Sequence, residues 1–278
     1  MSSEHRLGAV GATALGIAAI RARESARTDR LFDDPLAGAF VDAVGGRGAD
    51  WLSLGDVELS EDQAAISHWV VMRTVFIDDC IRQASADGIR QFVTLGSGLD
   101  TRPFRLALPS GCVFYEVDTA DVVTFKEWCL SELGVREPVT RLPVIADLRG
   151  DWLSALVAQG LREEMPIAWV LEGVTIYLTA EENDRLLHAV GRSSSSGSRL
   201  ALTIARPTTG GPVARSESAT PFRWLGPTDV KAWIHAHGWQ VVVRSTEEVA
   251  ADHERPAEEG ARRMVGQLVD GRRPAHIG

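Results

Sequence analysis

The stretch Gln91-Phe92-Val93-Thr94-Leu95-Gly96-Ser97-Gly98-Leu99-Asp100-Thr101-Arg102 reads as a short apolar strand running into a glycine turn. A strand that ends in Gly-x-Gly, here Gly96 and Gly98, permits a tight turn and brings backbone N–H groups close to a ligand. It is not the dinucleotide fingerprint. That pattern requires a third glycine at position 101, where Thr101 would put a side chain against a pyrophosphate. Alone, the stretch also fits a plain strand-to-helix turn.

The next strand sharpens the reading. Glu116-Val117-Asp118 ends it, with Asp118 22 residues after Gly96. An acid at roughly 20 residues' distance is placed to accept hydrogen bonds from ribose hydroxyls. Asp121 is as good a candidate for capping the helix that follows. Asp147 and Glu172 follow the predicted strands 142–146 and 167–171. Polar or glycine residues thus end four successive strands, at the edge where α/β sheets bind ligands.

Outward from this centre, strands and helices alternate. Strands are expected at residues 91–95, 112–117, 142–146, 167–171, 199–205 and 239–244, and helices at 122–133, 152–159, 180–190 and 228–237. This rhythm predicts an α/β fold with a doubly wound, mostly parallel sheet. Upstream, helical patterns cover residues 13–30, begin again at Asp33-Asp34-Pro35, and run from 61 to 86, ending near Gly88. Residues 45–60 read as a loop. Residues 1–88 are therefore expected to form a helical cap whose long helix contributes to the site, and residues 89–278 the core. A short cap insertion is expected near 206–226.

Composition narrows the partners. The 278 residues carry a formal net charge of −9, which argues against a nucleic-acid or anionic-membrane surface as main partner. The three cysteines, Cys80, Cys112 and Cys129, have no Cys-x-x-Cys spacing and read as reduced thiols of a cytoplasmic protein, with no metal site. Residues 7–20 are apolar, but fourteen residues are too few to span a bilayer, and arginines follow at once. A helix packed on the domain is the expectation there.

With these blocks in order, the chain resembles the leucine carboxyl methyltransferase family, especially its bacterial members. The resemblance rests on residues 27–37 (Arg27-Thr28-Asp29-Arg30-Leu31-Phe32-Asp33-Asp34-Pro35-Leu36-Ala37), on Arg73-Thr74 through Asp78-Asp79, and on 95–105. Glu116 to Asp118, Asp147-Leu148 and 169–178 complete it, and the likeness covers about residues 10–245. It implies a class I methyltransferase fold, S-adenosylmethionine as cofactor and S-adenosylhomocysteine as product. By the resemblance, Arg73 pairs with the methionine carboxylate, Gly96 packs beside the cofactor with Gly98 in the same turn, and Asp118 binds ribose. Asp147 and Leu148 hold adenine, Glu172 lies near the methionine portion, and Tyr177 near the reaction centre. The modest stretch 206–226, where eukaryotic members carry a larger insertion, favours a small acceptor such as an aromatic or polyketide natural product, for a monomer or homodimer.

The expected reaction is O-methylation, at a carboxyl or a phenolic hydroxyl, as in secondary metabolism. A carboxylate acceptor is already ionised, whereas a phenol benefits from a base. His68, five residues before Arg73, is the candidate base. Two other readings compete. One is a nicotinamide-dependent oxidoreductase, against which Thr101 and the lack of a Tyr-x-x-x-Lys pair speak. The other is a binder of S-adenosylmethionine that does not methylate, since fold and cofactor site do not fix chemistry.

Overall fold

The computed structural model describes residues 7–44, 59–207, 223–257 and 264–275. The expected loop at 45–60 lies outside the described residues except for 59–60, and the cap insertion near 206–226 except for 206–207 and 223–226. Three helices come first: α1 (Ala9–Ser25), α2 (Pro35–Ala43) and α3 (Glu61–Ala86). The first is shorter at its C-terminus than the apolar spacing suggested. Past Ser25 the backbone turns, and Glu24 and the Ser25 hydroxyl accept the Leu31 and Asp34 N–H groups instead. Asp34 then caps α2 through the Ala37 N–H, with Pro35 in its first turn.

Helix α3 has local signals at both ends. Ser60 and Gln63 form a reciprocal capping box at its start. At its end Gly88 adopts φ 93°, its N–H bonds the Ser85 carbonyl, and the Ile89 N–H bonds that of Ala84. That pairing satisfies carbonyls the helix would otherwise leave bare. The 26 residues make a rod of about 39 Å.

The core alternates as expected. It runs β1 (Gln91–Leu95), α4 (Arg102–Arg105), β2 (Val113–Asp118), α5 (Ala120–Glu132), β3 (Thr140–Ile145), α6 (Trp152–Ala158) and β4 (Ile167–Leu171). A 3₁₀ turn (Thr175–Tyr177), α7 (Ala180–Arg192), β5 (Arg199–Pro207), α8 (Val230–Ala236) and β6 (Gln240–Ser245) follow. Helix α9 (Thr246–Asp252) and strand β7 (Met264–Arg272) complete the described elements and were not expected.

The strands form one sheet in the order β3-β2-β1-β4-β5-β7-β6, parallel except for β7, which runs antiparallel between β5 and β6. Strands β1 and β4 are buried along their whole length, as central parallel strands should be. Period-two alternation divides their side chains between two layers. Phe92 and Phe114, paired across β1 and β2, stack at 4.8 Å beneath α1–α3 and α5. Val93, Leu95 and Trp169 face α6, α7 and α8. The order reverses between β1 and β4, and a crevice at the carboxyl ends of those strands is where this architecture binds ligands. No helix among the described residues is long and apolar enough to cross a membrane.

Candidate active site

A cavity of about 740 Å³ opens at that reversal point, within the usual range for small-molecule sites. Its floor is the turn after β1. The Gly96 and Ser97 N–H groups both bond the Val117 carbonyl, at 2.9 and 3.0 Å, which curls the chain over the end of β2. Gly96 has φ 70°, and a Cβ there would lie 2.7 Å from Val174 Cγ2. Any side chain would be strained in backbone and would strike the wall opposite.

Asp118 closes the floor. Its Oδ2 accepts the Gly98 N–H at 2.6 Å and its Oδ1 the Thr119 N–H at 2.7 Å. Burial pushes its carboxyl above the ordinary aspartate value, more than those two N–H groups pull it down. Asp121 is occupied elsewhere, accepting from the Thr119 hydroxyl and from the Gly8 N–H that precedes α1. Of the two acids, the cavity is lined by Asp118 and not by Asp121.

Asp147 and Leu148 line the side wall after β3. Leu148 Cδ1 lies across from Gly96, 4.0 Å from where its Cβ would be. Asp147 is half exposed, and the Arg149 guanidinium, reaching it at 2.5 Å, holds its carboxyl below the ordinary value.

Glu172, directly after β4, lies between two arginines. Arg73 Nε, from α3, donates to its Oε1 at 2.9 Å, and Arg102 Nη1 reaches Oε2 at 2.7 Å. Burial would raise the Glu172 carboxyl, but Arg102 and Arg73 outweigh it and keep it below the ordinary glutamate value. Burial lowers the Arg73 guanidinium in turn, with Glu172 opposing. The 3₁₀ turn then brings Tyr177 over the cavity, its hydroxyl 2.9 Å from the Thr13 Oγ1 of α1. Burial raises the Tyr177 phenol, against the pull of Thr13 and Arg73.

The fold thus gathers Arg73, Gly96, Gly98, Asp118, Asp147, Leu148, Glu172 and Tyr177 around one space, although they span more than a hundred residues of chain. His68 is not among them. It precedes Trp69, which does line the cavity, so the turn of α3 that faces the space carries Trp69, Val70 and Arg73 instead. Sequence reasoning passed over Thr13, Arg21, Asp100 and Arg102 as lining residues. Arg102 and Asp100 stood in the quoted turn motif, but nothing local marks them as facing inward.

Comparison with known proteins gives the family and the fold. The leucine carboxyl methyltransferase family model matches residues 14–191. A Streptomyces coelicolor protein provisionally named an S-adenosyl-L-methionine-dependent methyltransferase is 40% identical over 255 residues, 89% of each chain. Among solved structures, a provisionally named methyltransferase from Thermobifida fusca superposes with a TM-score of 0.59 at 19% identity, covering 93% of this chain and 94% of the other. The magnesium protoporphyrin IX methyltransferase of Synechocystis, solved with S-adenosylhomocysteine bound, gives 0.52 at 16% identity over 85% and 96%. These neighbours establish a class I methyltransferase fold. With the family model matched from the first helix through α7 and a relative at 40% identity along nearly its whole length, the chain belongs to the leucine carboxyl methyltransferase family.

Proposed function

We propose that the protein transfers the methyl group of S-adenosylmethionine to a carboxylate oxygen of a small, largely apolar acceptor. Use of S-adenosylmethionine follows from the family and from the names its relatives carry. The cavity's donor set fits such a molecule. Without a side chain at Gly96, Val174 and Leu148 close directly over the floor, and the backbone there is left bare to a ligand. Asp118 offers a carboxylate to vicinal hydroxyls, and Leu148 an apolar surface to a flat ring. Arg73 has its Nε bonded to Glu172, and among the described residues no hydrogen bond engages its two Nη nitrogens. They suit a ligand carboxylate.

When bound, S-adenosylmethionine supplies an electrophilic methyl carbon on a cationic sulfur. The protein's part is to hold the acceptor oxygen in line with that carbon and to exclude water. Ile17, Ile66, Trp69, Val70 and Ile176 give the acceptor side an apolar lining. With its phenol pushed upward by burial, Tyr177 stays protonated at neutral pH. It serves as a hydrogen-bonding group beside Thr13 rather than as a base.

One observation carries the choice of carboxylate. Among the described residues no histidine, cysteine or lysine lines the cavity, and each lining acid has a hydrogen-bonded or ion-paired partner. An acceptor that arrives ionised needs no proton removed. The test is transfer of a labelled methyl group to a panel of aromatic and polyketide-like acids and their matched phenols, each product then treated with mild alkali. Label released as methanol from the acids is the expected result. Label that resists alkali would overturn the ester assignment and return His68 to consideration. Tight S-adenosylhomocysteine binding without turnover on any acceptor would favour the non-methylating reading.

A further inference from the structure

Arg102 opens the short helix after the glycine turn, and its side chain is only 3% exposed. Its guanidinium is used on every edge. Nε donates to Asp78 Oδ1 at 2.7 Å, Nη1 reaches Asp100 Oδ2 at 3.0 Å and Glu172 Oε2 at 2.7 Å, and Nη2 points to the Thr74 carbonyl at 3.4 Å. Asp78 is itself gripped by Arg105 through both carboxylate oxygens. Arg73, Arg102 and Arg105 balance Asp78, Asp100 and Glu172, three charges against three.

We infer that Arg102 is a positioning residue for the amino-acid end of the bound cofactor: it anchors one oxygen of Glu172 so that the other orients the Arg73 guanidinium. This rests on the cofactor reading above. Three features carry it. Asp78 and Arg73 belong to the same helix, so Arg102 ties Glu172 to the element that bears its other partner. Glu172 has one oxygen for each arginine, so loss of Arg102 frees the carboxylate to rotate away from Arg73. A planar fork is needed to meet acceptors from α3, the β1 turn and the end of β4 together, which a lysine's point charge cannot do.

Charge points the same way. Arg102, Arg73 and Arg21 favour ionised Glu172, and Asp100 opposes it. Without Arg102, Asp100 and Glu172 lose the cation they share, Asp100 keeps only the weaker pull of Lys126 and Arg105, and the glutamate takes up a proton at higher pH than before.

The experiment is calorimetric titration of S-adenosylhomocysteine into the wild type, Arg102→Lys, Arg102→Met and Arg102→Met/Glu172→Gln, from mildly acidic to mildly alkaline pH. Arg102→Met should bind at least about tenfold more weakly, with affinity falling further toward acid more steeply than in the wild type. The double variant should lose that added pH dependence, and Arg102→Lys should recover part of the affinity. A merely structural role would weaken binding equally at all pH values, and that result, or unchanged affinity in Arg102→Met, overturns the inference. Should Arg102→Met not fold, Arg102→Lys decides: wild-type affinity there overturns the assignment, and a loss of about tenfold supports it. Absence of binding by the wild type would instead overturn the cofactor reading, and the inference with it.

Discussion

Asp118 at the end of β2 and Glu172 just past β4 are both strand-end acids facing one cavity, yet the protein treats their charges in opposite ways. Asp118 meets backbone N–H groups and, among the described residues, no cation at hydrogen-bonding distance, and burial raises its carboxyl. Glu172 is no less enclosed, but two guanidiniums reverse the effect of burial. One charge is held at a cost to the fold and the other contributes to it. The difference suits two tasks. An acid that meets neutral hydroxyls needs free lone pairs, whereas an acid that orients a cation needs a fixed direction.

Removing the Glu172 charge should have the largest effect. Glu172→Gln leaves Arg73 and Arg102 facing a neutral amide, and breaking such a buried pair costs about 3 kcal/mol or more. A thermal melt should show a fall of roughly 6–12 °C. The linkage follows from the direction of the shift. Because the folded-state value is depressed, this stability is present above the ordinary glutamate pKa and is lost as pH falls through the lower folded value. A variant as stable as the wild type would mean the two charges are not treated differently.

Asp118→Asn should move stability the other way. Its folded-state value is raised, so stability is fully present below the ordinary aspartate pKa and declines as pH rises through the folded value. At neutral pH the amide should therefore melt at the same temperature as the wild type or slightly above it. On the proposed ribose-binding role, binding of S-adenosylhomocysteine should nevertheless fall by at least about tenfold, because the amide replaces one of the two acceptor oxygens, and the charge, with an NH2 donor. Destabilisation with intact binding would break the comparison outright.

The smallest effect belongs to the third strand-end acid. Asp147 is half exposed and its ion pair with Arg149 is a surface one. Asp147→Asn should change stability by no more than about 0.5 kcal/mol and weaken the cofactor analogue only a few-fold in the same titration. A loss as large as that of Asp118→Asn would show that exposure does not rank these acids.

Elements with their own end signals were legible in advance. Ser60, Gln63 and Gly88 bound α3, and the runs 91–95 and 167–171 are continuous apolar strands closed by polar or glycine residues. The end of α1 was not legible, since it depends on Glu24 and Ser25 accepting from residues seven and nine positions on. Nor was β7. No strand was expected there, and a Cβ at Gly266 would lie 1.8 Å from the Trp69 ring, so the packing of α3 requires a glycine inside that strand.

At the site the same division holds. The chain's own order determined the glycine turn at 96–98, the acids at four strand ends and the placing of all of them on one sheet edge, because strand period and turn chemistry act over a few residues. Only the tertiary structure decided that Asp118 rather than Asp121 faces the cavity, that His68 does not, and that Arg102 joins Asp78 to Glu172. The last of these depends on ion pairs from Arg102 to residues 24 positions before it and 70 after it, partners chosen by burial and geometry once the helices dock.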